Sequence, residues 1–366
     1  MNKIEYKDIS AFHPGYYILE IIEDMEISQK EFAVRLGTTP KTVSELVRGE
    51  CNLSNDLARK VSSMLGTSVE VWLNLQKTYD QKMIEIEQRK QLDEQICVMA
   101  DIDYSYFVRV AKLPNTRSAT EKVSNLCRFL QISNLNILRN QDFLVNFRSS
   151  EKNIQEKNVI NARAWLQTAI NIAKNDQARA FNAQKLNGFL PEIRKMTTQP
   201  PEDFYPRLCQ IFNECGVSFV LLPHLKNSKI NGAVKWIGRD KVVLAMNDRC
   251  NYADIFWFSL FHEIKHVLQQ KVKMTFVSAS ELPHSQVDAS LEEEADCFAQ
   301  EYLIPSAKYE EFVRRPYFSD SDIVKFAQDI GIHPGIVAGR LQHDRRIAPN
   351  RCAKLKARYK IALTCD

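Results

Sequence analysis

His262, Glu263 and His266 lie in the stretch DIFWFSLFHEIKHVLQQ, residues 254–270. Residues four apart share one face of a helix, one turn from each other. Two imidazole nitrogens at that spacing can bind one metal ion. The glutamate after the first histidine projects beside the metal, where it can take a proton from an attacking water. This H-E-x-x-H spacing belongs to zinc-dependent hydrolysis. Such a site needs a third protein ligand, and Glu292 in EEEAD is the candidate. Asp296, four residues on, shares its face and can orient a ligand histidine, while Glu294 falls on roughly the opposite side. A blander reading exists for each half. Two histidines can sit polar side up at a domain surface, and Ser290 with Glu293 can form a capping box in a helix that favours acids at its start. The two halves occurring together, in order, favour the metal.

The elements around these residues are legible. Asn251 is placed to cap the histidine helix, with Asp254 at its third position, and apolar residues on both sides of the histidine stripe would shelter the site. VSFVLLP (217–223), GAVKWIG (232–238) and KVVLAMN (241–247) are β-rich runs, with GRD turning between the last two. Residues 80 to about 200 look helical, broken at LPNTRSA (113–119) and MTTQPPEDF (196–204). Trp257 and Phe258 read as core, and Cys297 as a buried thiol. His284, Tyr252 and Tyr302 are weaker candidates for a group that stabilises an oxyanion.

The chain has 366 residues, enough for two or three domains, with 45% hydrophobic and 26% charged residues, as in soluble globular proteins. No apolar run approaches a membrane span and the N-terminus lacks an apolar signal core, so no export is expected. Nine cysteines, none in a C-x-x-C pair, fit reduced thiols in a cytoplasm. The net charge of +4 excludes little, but its distribution is uneven. Residues 340–360 carry eight Lys/Arg and one acid, whereas residues 1–79 carry nine Lys/Arg and eleven acids.

Residues 13–79 read as a compact helical unit. Ser28 caps a helix that turns Phe32, Ala33 and Leu36 inward and stops at Gly37. Thr39 caps the next, with Pro40 at its first position and Val43, Leu46 and Val47 inward. Ser54 caps a fourth helix, ended by Gly66, and Ser68 begins a fifth. The pair in SQKEFAVRLGTTPKTVSELVRG has helix-turn-helix spacing, whose second helix enters a DNA major groove. Thr39, Lys41, Thr42, Ser44 and Arg48 would face the DNA, with Glu45 beside them and Gln29 meeting a phosphate or bracing the reader helix. Arg59 and Lys60 could add phosphate contacts. The excess of acids supports the alternative, a bundle for dimerisation or docking, because DNA affinity comes chiefly from phosphate neutralisation.

On the segments VSFVLLPHL, INGAVKWIGRDKVVLAMND, FSLFHEIKHVL and EEEADCFAQEYLIP, residues 160–340 resemble the ImmA/IrrE metallopeptidase family. The resemblance implies a gluzincin-type zinc endopeptidase with His262, His266 and Glu292 as ligands and Glu263 as catalytic base. Two places depart from it: Lys265 stands where glycine is common, and NYADIFW replaces an Arg-rich lead. From HPGYY to LQKTYD the N-terminal part is similar to HigA-type antitoxins of the XRE superfamily, which implies a dimer on a palindromic operator. His13 of that HPG reads as a turn or packing residue. FAQDIGIHPGIVAGRL (326–341) echoes FAVRLGTTPKTVSELV (32–47). With His333 and Gly335 where outward polar residues would stand, it reads as a helical pair packed on the peptidase domain, followed by a solvated basic tail.

The expected fold is mainly α with a small α+β domain. A five-helix helix-turn-helix bundle (1–80) precedes a helical connecting region (81–159). A zincin-like peptidase domain with a short sheet and the HExxH helix (160–320) and C-terminal helices (321–366) follow. The expected function is a cytoplasmic regulator that binds a double-stranded operator as a homodimer, without a membrane, and uses Zn2+ to cleave a repressor or antitoxin. The alternatives are a non-catalytic HigA-type antitoxin and autorepressor whose second domain binds zinc or a toxin only, and a sensor in which zinc modulates DNA affinity.

Overall fold

The computed structural model describes residues 2–140, 155–174, 179–249, 251–271, 275–279 and 286–361. His284 lies outside them. The chain divides into two compact units, Met1–Glu94 and Gln95–Asp366.

In the first unit β1 (Lys3–Tyr6) and β2 (Ile9–Phe12) form an antiparallel hairpin. Its charge-alternating sequence hid it from pattern reading. It is held because Ile9 and Ala11 are buried against Ile86. Four helices follow: α1 (Pro14–Asp24), α2 (Gln29–Leu36), α3 (Pro40–Val47) and α4 (Asn55–Leu65). Ser28, Thr39 and Ser54 each accept the backbone N–H three residues on, so each expected cap is made. Gly37 and Gly66 close α2 and α4 in the left-handed region. His13 caps α1, its Nδ1 accepting from Gly15 N at 3.0 Å. A Cβ at Gly15 would lie 1.9 Å from the Leu46 carbonyl oxygen, so only glycine lets α1 cross α3 this closely. Phe32, Ala33, Val43, Leu46 and Trp72 fill the core. α5 (Val69–Ala100) starts in this unit.

The second unit continues with α6 (Tyr104–Val110), α7 (Ala119–Leu130) and α8 (Glu156–Ala173). α8 is buried almost all round and ties loops together through polar side chains: Asn161 to Asp101 O, Arg163 to Leu138 O, Trp165 to Pro223 O. After α9 (Ala183–Lys195) and α10 (Pro201–Glu214) come β3 (Val217–Leu222), β4 (Ile230–Ile237) and β5 (Lys241–Asn247). α11 (Ala253–Leu268) carries the two histidines; β6 (Thr275–Ala279), α12 (Gln286–Leu303), α13 (Ser306–Phe312), α14 (Asp320–Ile330) and α15 (Pro334–His343) complete the unit. The sheet order is β3-β5-β4-β6, with β3 and β5 parallel and the other pairs antiparallel. β5 is buried at six of seven positions, which explains its unbroken apolar run.

Four local expectations are corrected. Tyr252, not Asn251, stands at the N-cap of α11 and makes no side-chain cap. Instead Ala253 N donates to Ala357 O and Tyr359 N to Asn251 O, so a tail segment satisfies the helix start. Part of the basic tail is therefore packed, not solvated: Lys356 Nζ lies 2.6 Å from Asp254 Oδ2, and Trp257 donates to the Tyr359 hydroxyl at 2.9 Å. α12 begins at Gln286, so Ser290 is inside the helix and does not cap it. Cys297 is exposed, because Ala295 and Ala299 take the buried face of α12 and residue 297 points away from both.

The echo at the C-terminus is the packed pair that its sequence suggests. Ile336, Val337, Ala338 and Leu341 join the core that holds Trp257 and Phe261. His333 repeats the His13 cap, its Nδ1 accepting from Gly335 N at 3.0 Å. No helix among the described residues is long and apolar enough to cross a membrane. Arg194 joins the ends of two helices, donating to the carbonyls of Tyr302, Leu303 and Ile330 at 2.8–3.0 Å. Replacing it by methionine leaves three carbonyls without that donor and should lower stability by about 3 kcal/mol, read as a fall in the unfolding midpoint.

Candidate metal centre

α11 and α12 bring His262, His266 and Glu292 together, with one ligand atom from each within 4.8 Å of the others. His262 Nε2 is 3.0 Å from His266 Nε2. Glu292 places Oε2 3.1 Å from His262 Nε2 and Oε1 3.2 Å from His266 Nε2. His262 Nδ1 faces Asp296 Oδ1 at 2.8 Å, and His266 Nδ1 faces Gln269 Oε1 at 2.9 Å. Both acceptors claim the Nδ1 proton of a neutral ring, which turns the Nε2 lone pairs toward each other and toward a carboxylate. Lone pairs and negative charge then converge at one buried point. A divalent cation relieves that arrangement, so the donor set fits zinc.

The electrostatics agree. Burial opposes charge on His262, but the Asp296 and Glu292 carboxylates outweigh it and raise its pKa to about 10. Burial likewise favours neutral Glu292, yet the hydrogen bonds and charge of the two histidines bring its pKa down to about 2. The centre is built to hold positive charge.

Glu263 is wholly buried one residue after His262. A Cβ on Gly232 of β4 would lie 2.3 Å from Glu263 Oε1, so the missing side chain makes the space that the glutamate fills. A register shift between Ile230 and Gly232 places a bulge beside it, and Asn231 from this bulge lines the adjoining cavity. The cavity, about 460 Å³, is bounded by His262, Glu263, Glu292 and Asp296 at one part. Phe258 is half-buried and lines it, whereas Trp257 is core.

Lys265 neither crowds this space nor faces the ligands. It pairs with Glu294 at 2.8 Å and lies over the Phe298 ring. Tyr302 stacks on Phe261, and exposed Tyr252 lies beneath the Lys356 and Arg358 cations; neither lines the cavity. Three contributors escaped sequence reading. Gln269 orients His266 and also donates to Leu291 O and Glu294, joining α11 to α12. Gly232 gave no signal beyond its type. Phe276 of β6 stacks on His266 with centroids 4.2 Å apart, from a strand too short to read as one.

In the first unit Lys41 and Ser44 of α3 and Arg48 at its C-cap form an i, i+3, i+7 stripe. Thr39 caps that helix and shares a 2.8 Å hydroxyl bond with Thr42. Gln29 is half-buried at the first turn of α2. The cations here have acidic neighbours: Lys41 with Glu45 at 3.7 Å, Arg48 with Glu50 at 2.9 Å, and Arg59 and Lys60 with Asp56 at 2.9 and 2.8 Å.

A helix-turn-helix family model matches residues 18–72, and a model of the IrrE N-terminal-like domain matches residues 224–342. The uncharacterised HTH-type transcriptional regulator YddM of Escherichia coli K12 is 31% identical over 83 residues, 22% of this chain and 88% of that protein. Antitoxin HigA-1 of Vibrio cholerae is 37% identical over 62 residues, 17% of this chain and 58% of that one. Among solved structures, a putative antidote protein of a plasmid maintenance system from Nostoc punctiforme is 31% identical, covers 24% of this chain and 94% of its own, and has a TM-score of 0.22. Fold and matches define a helix-turn-helix regulator, antitoxin-like, with a metallopeptidase-like domain. The chain belongs to the XRE-type helix-turn-helix family and carries an IrrE N-terminal-like domain.

Two substitutions separate holding a metal from using it. Gln269→Leu removes the acceptor on His266 and should weaken zinc affinity about 10–100-fold in a chelator competition. Gly232→Ala should leave zinc content unchanged and lower any hydrolysis about a hundredfold by displacing Glu263.

Proposed function

We propose that the protein is a cytoplasmic regulator that binds a double-stranded operator as a homodimer and hydrolyses peptide bonds in a repressor or antitoxin partner. Residues 1–80 form the DNA-binding domain, 81–159 the connection, 160–320 the peptidase domain and 321–366 the C-terminal helices with the basic tail. The observation that carries the peptidase reading is the convergence of His262, His266 and Glu292 beside a wholly buried Glu263 at the wall of a cavity.

His262, His266 and Glu292 would hold zinc, which supplies Lewis acidity there when bound. Asp296 and Gln269 keep the two imidazoles turned with Nε2 inward. Glu263 accepts a proton from the attacking water and returns it to the leaving amine. Its burial keeps bulk water from competing for that proton.

DNA binding rests on the α3 stripe, with Thr39, Lys41, Thr42, Ser44 and Arg48 toward the groove and Gln29 at a phosphate. The paired cations support a second reading, a docking bundle for a toxin. Substitution at the salt bridges separates them. If DNA is the partner, Glu45→Gln with Glu50→Gln should release Lys41 and Arg48 to phosphates and tighten operator binding several-fold at low salt. A gel shift unchanged by both substitutions favours docking.

For the peptidase, Glu263→Gln should retain about one zinc per chain while partner cleavage disappears. Equal cleavage by variant and wild type would discard the role of Glu263. Cleavage absent from both, with operator binding intact, would leave the non-catalytic antitoxin.

A further inference from the structure

Asp254, Phe258, His262 and His266 stand four residues apart along α11 and so share one face. At 1.5 Å per residue, Asp254 lies about 12 Å from His262 along the helix. The cavity extends over that distance, with Asp254, His262 and Glu292 in its lining. Phe258, Leu303, Ile304 and Ile336 give it an apolar wall. An extended peptide covers about 12 Å in three to four residues.

The far end is polar and incomplete. Asp254 is 9% exposed. Its Oδ2 holds Lys356 Nζ at 2.6 Å, while its buried Oδ1 has no hydrogen-bond partner among the described residues. Gly339 lets α15 pass directly over this carboxylate, since a Cβ there would lie 2.5 Å from Oδ2. The next residue, Arg340, lines the same cavity, with Nε bonded to Asp344 Oδ2 at 2.7 Å. Its terminal nitrogens remain donors. A buried carboxylate oxygen lacking a donor is costly, and such a group in a folded protein requires a reason.

Charge narrows what could supply that donor. Lys356 already neutralises Asp254, and Arg340 lines the same cavity. A further cation would meet both in a poorly screened site. An anion would meet Asp254. A primary carboxamide meets neither objection, because its N–H2 donates to Asp254 Oδ1 and its C=O accepts from Arg340.

We propose that this cavity is a peptide groove that selects a glutamine or asparagine side chain three to four residues from the scissile bond, with apolar residues between. The position relative to the scissile bond rests on the peptidase reading; recognition of the carboxamide does not.

The test uses full-length, zinc-loaded Glu263→Gln and fluorescein-labelled leucine-rich hexapeptides carrying Gln, Leu, Lys or Glu at each position in turn, read by anisotropy. The Gln peptide should bind about tenfold or more tightly than the other three at one position. Asp254→Ala should abolish that preference. Because Asp254→Ala also removes the partner of Lys356 and could fail to fold, Lys356→Met provides an independent arm. It takes the cation away from Asp254 Oδ2 and should switch the preference from Gln to Lys, whose ammonium then stands in for it. Equal binding of Gln and Leu peptides at every position, or no peptide binding, overturns the proposal. Cleavage of these peptides by wild-type protein without a Gln preference overturns the groove assignment alone. A Gln preference in binding with no cleavage by wild type overturns the peptidase reading and supports the groove.

Discussion

Two imidazole nitrogens 3.0 Å apart, each also about 3 Å from one carboxylate, form an arrangement that proteins do not hold without orienting partners. Much of the second unit serves that convergence. Asp296 and Gln269 fix the ring tautomers, and Phe276 braces His266 from behind. Gln269 also joins the end of α11 to the backbone of α12, so the helix with His262 and His266 and the helix with Glu292 are linked beside the site. Arg194 anchors the far end of α12. The core under α11 is aromatic, with Phe204, Phe256, Trp257 and Tyr359 in mutual contact, so the histidine helix cannot shift without disturbing large buried rings.

The site was legible where chemistry depends on local spacing. His262, Glu263 and His266 are set by one helical turn, and Glu292 and Asp296 by another, so a periodic reading finds all five. Their mutual approach was not legible, because it depends on how α11 and α12 cross. Gln269 follows the helical run and reads as an ordinary polar end. Gly232 matters only because a distant glutamate fills its missing side chain. In the first unit, caps and glycines punctuate α2, α3 and α4 so clearly that local rules suffice. The β1–β2 hairpin escaped because its burial comes from Ile86, about eighty residues away and silent in local sequence.

Reading failed in the opposite direction at the tail. A run of basic residues suggests a solvated segment, and composition cannot distinguish a free lysine from Lys356, which neutralises a buried aspartate. The same limit applies to α3. A stripe of cations looks ready for phosphate, but each has a carboxylate within ion-pair distance. Exposed pairs of this kind are weak, and a polyanion competes for the same cations. Two of the acids of the first unit thus stand beside those cations.

The grip of the tail on α11 has a consequence in time. Trp257 and its partner Tyr359 are separated by 102 residues, and the backbone of residues 357–359 pairs with the start of the histidine helix. A contact of such long range closes late, after the loop entropy of the intervening chain has been met. On the ribosome, His262, His266 and Glu292 emerge well before the segment that steadies the start of α11. A nascent or prematurely cut chain would carry His262 and His266 on a helix whose start still lacks its tail partners. Final assembly of the cleft is thereby deferred until nearly all of this sequence has been made.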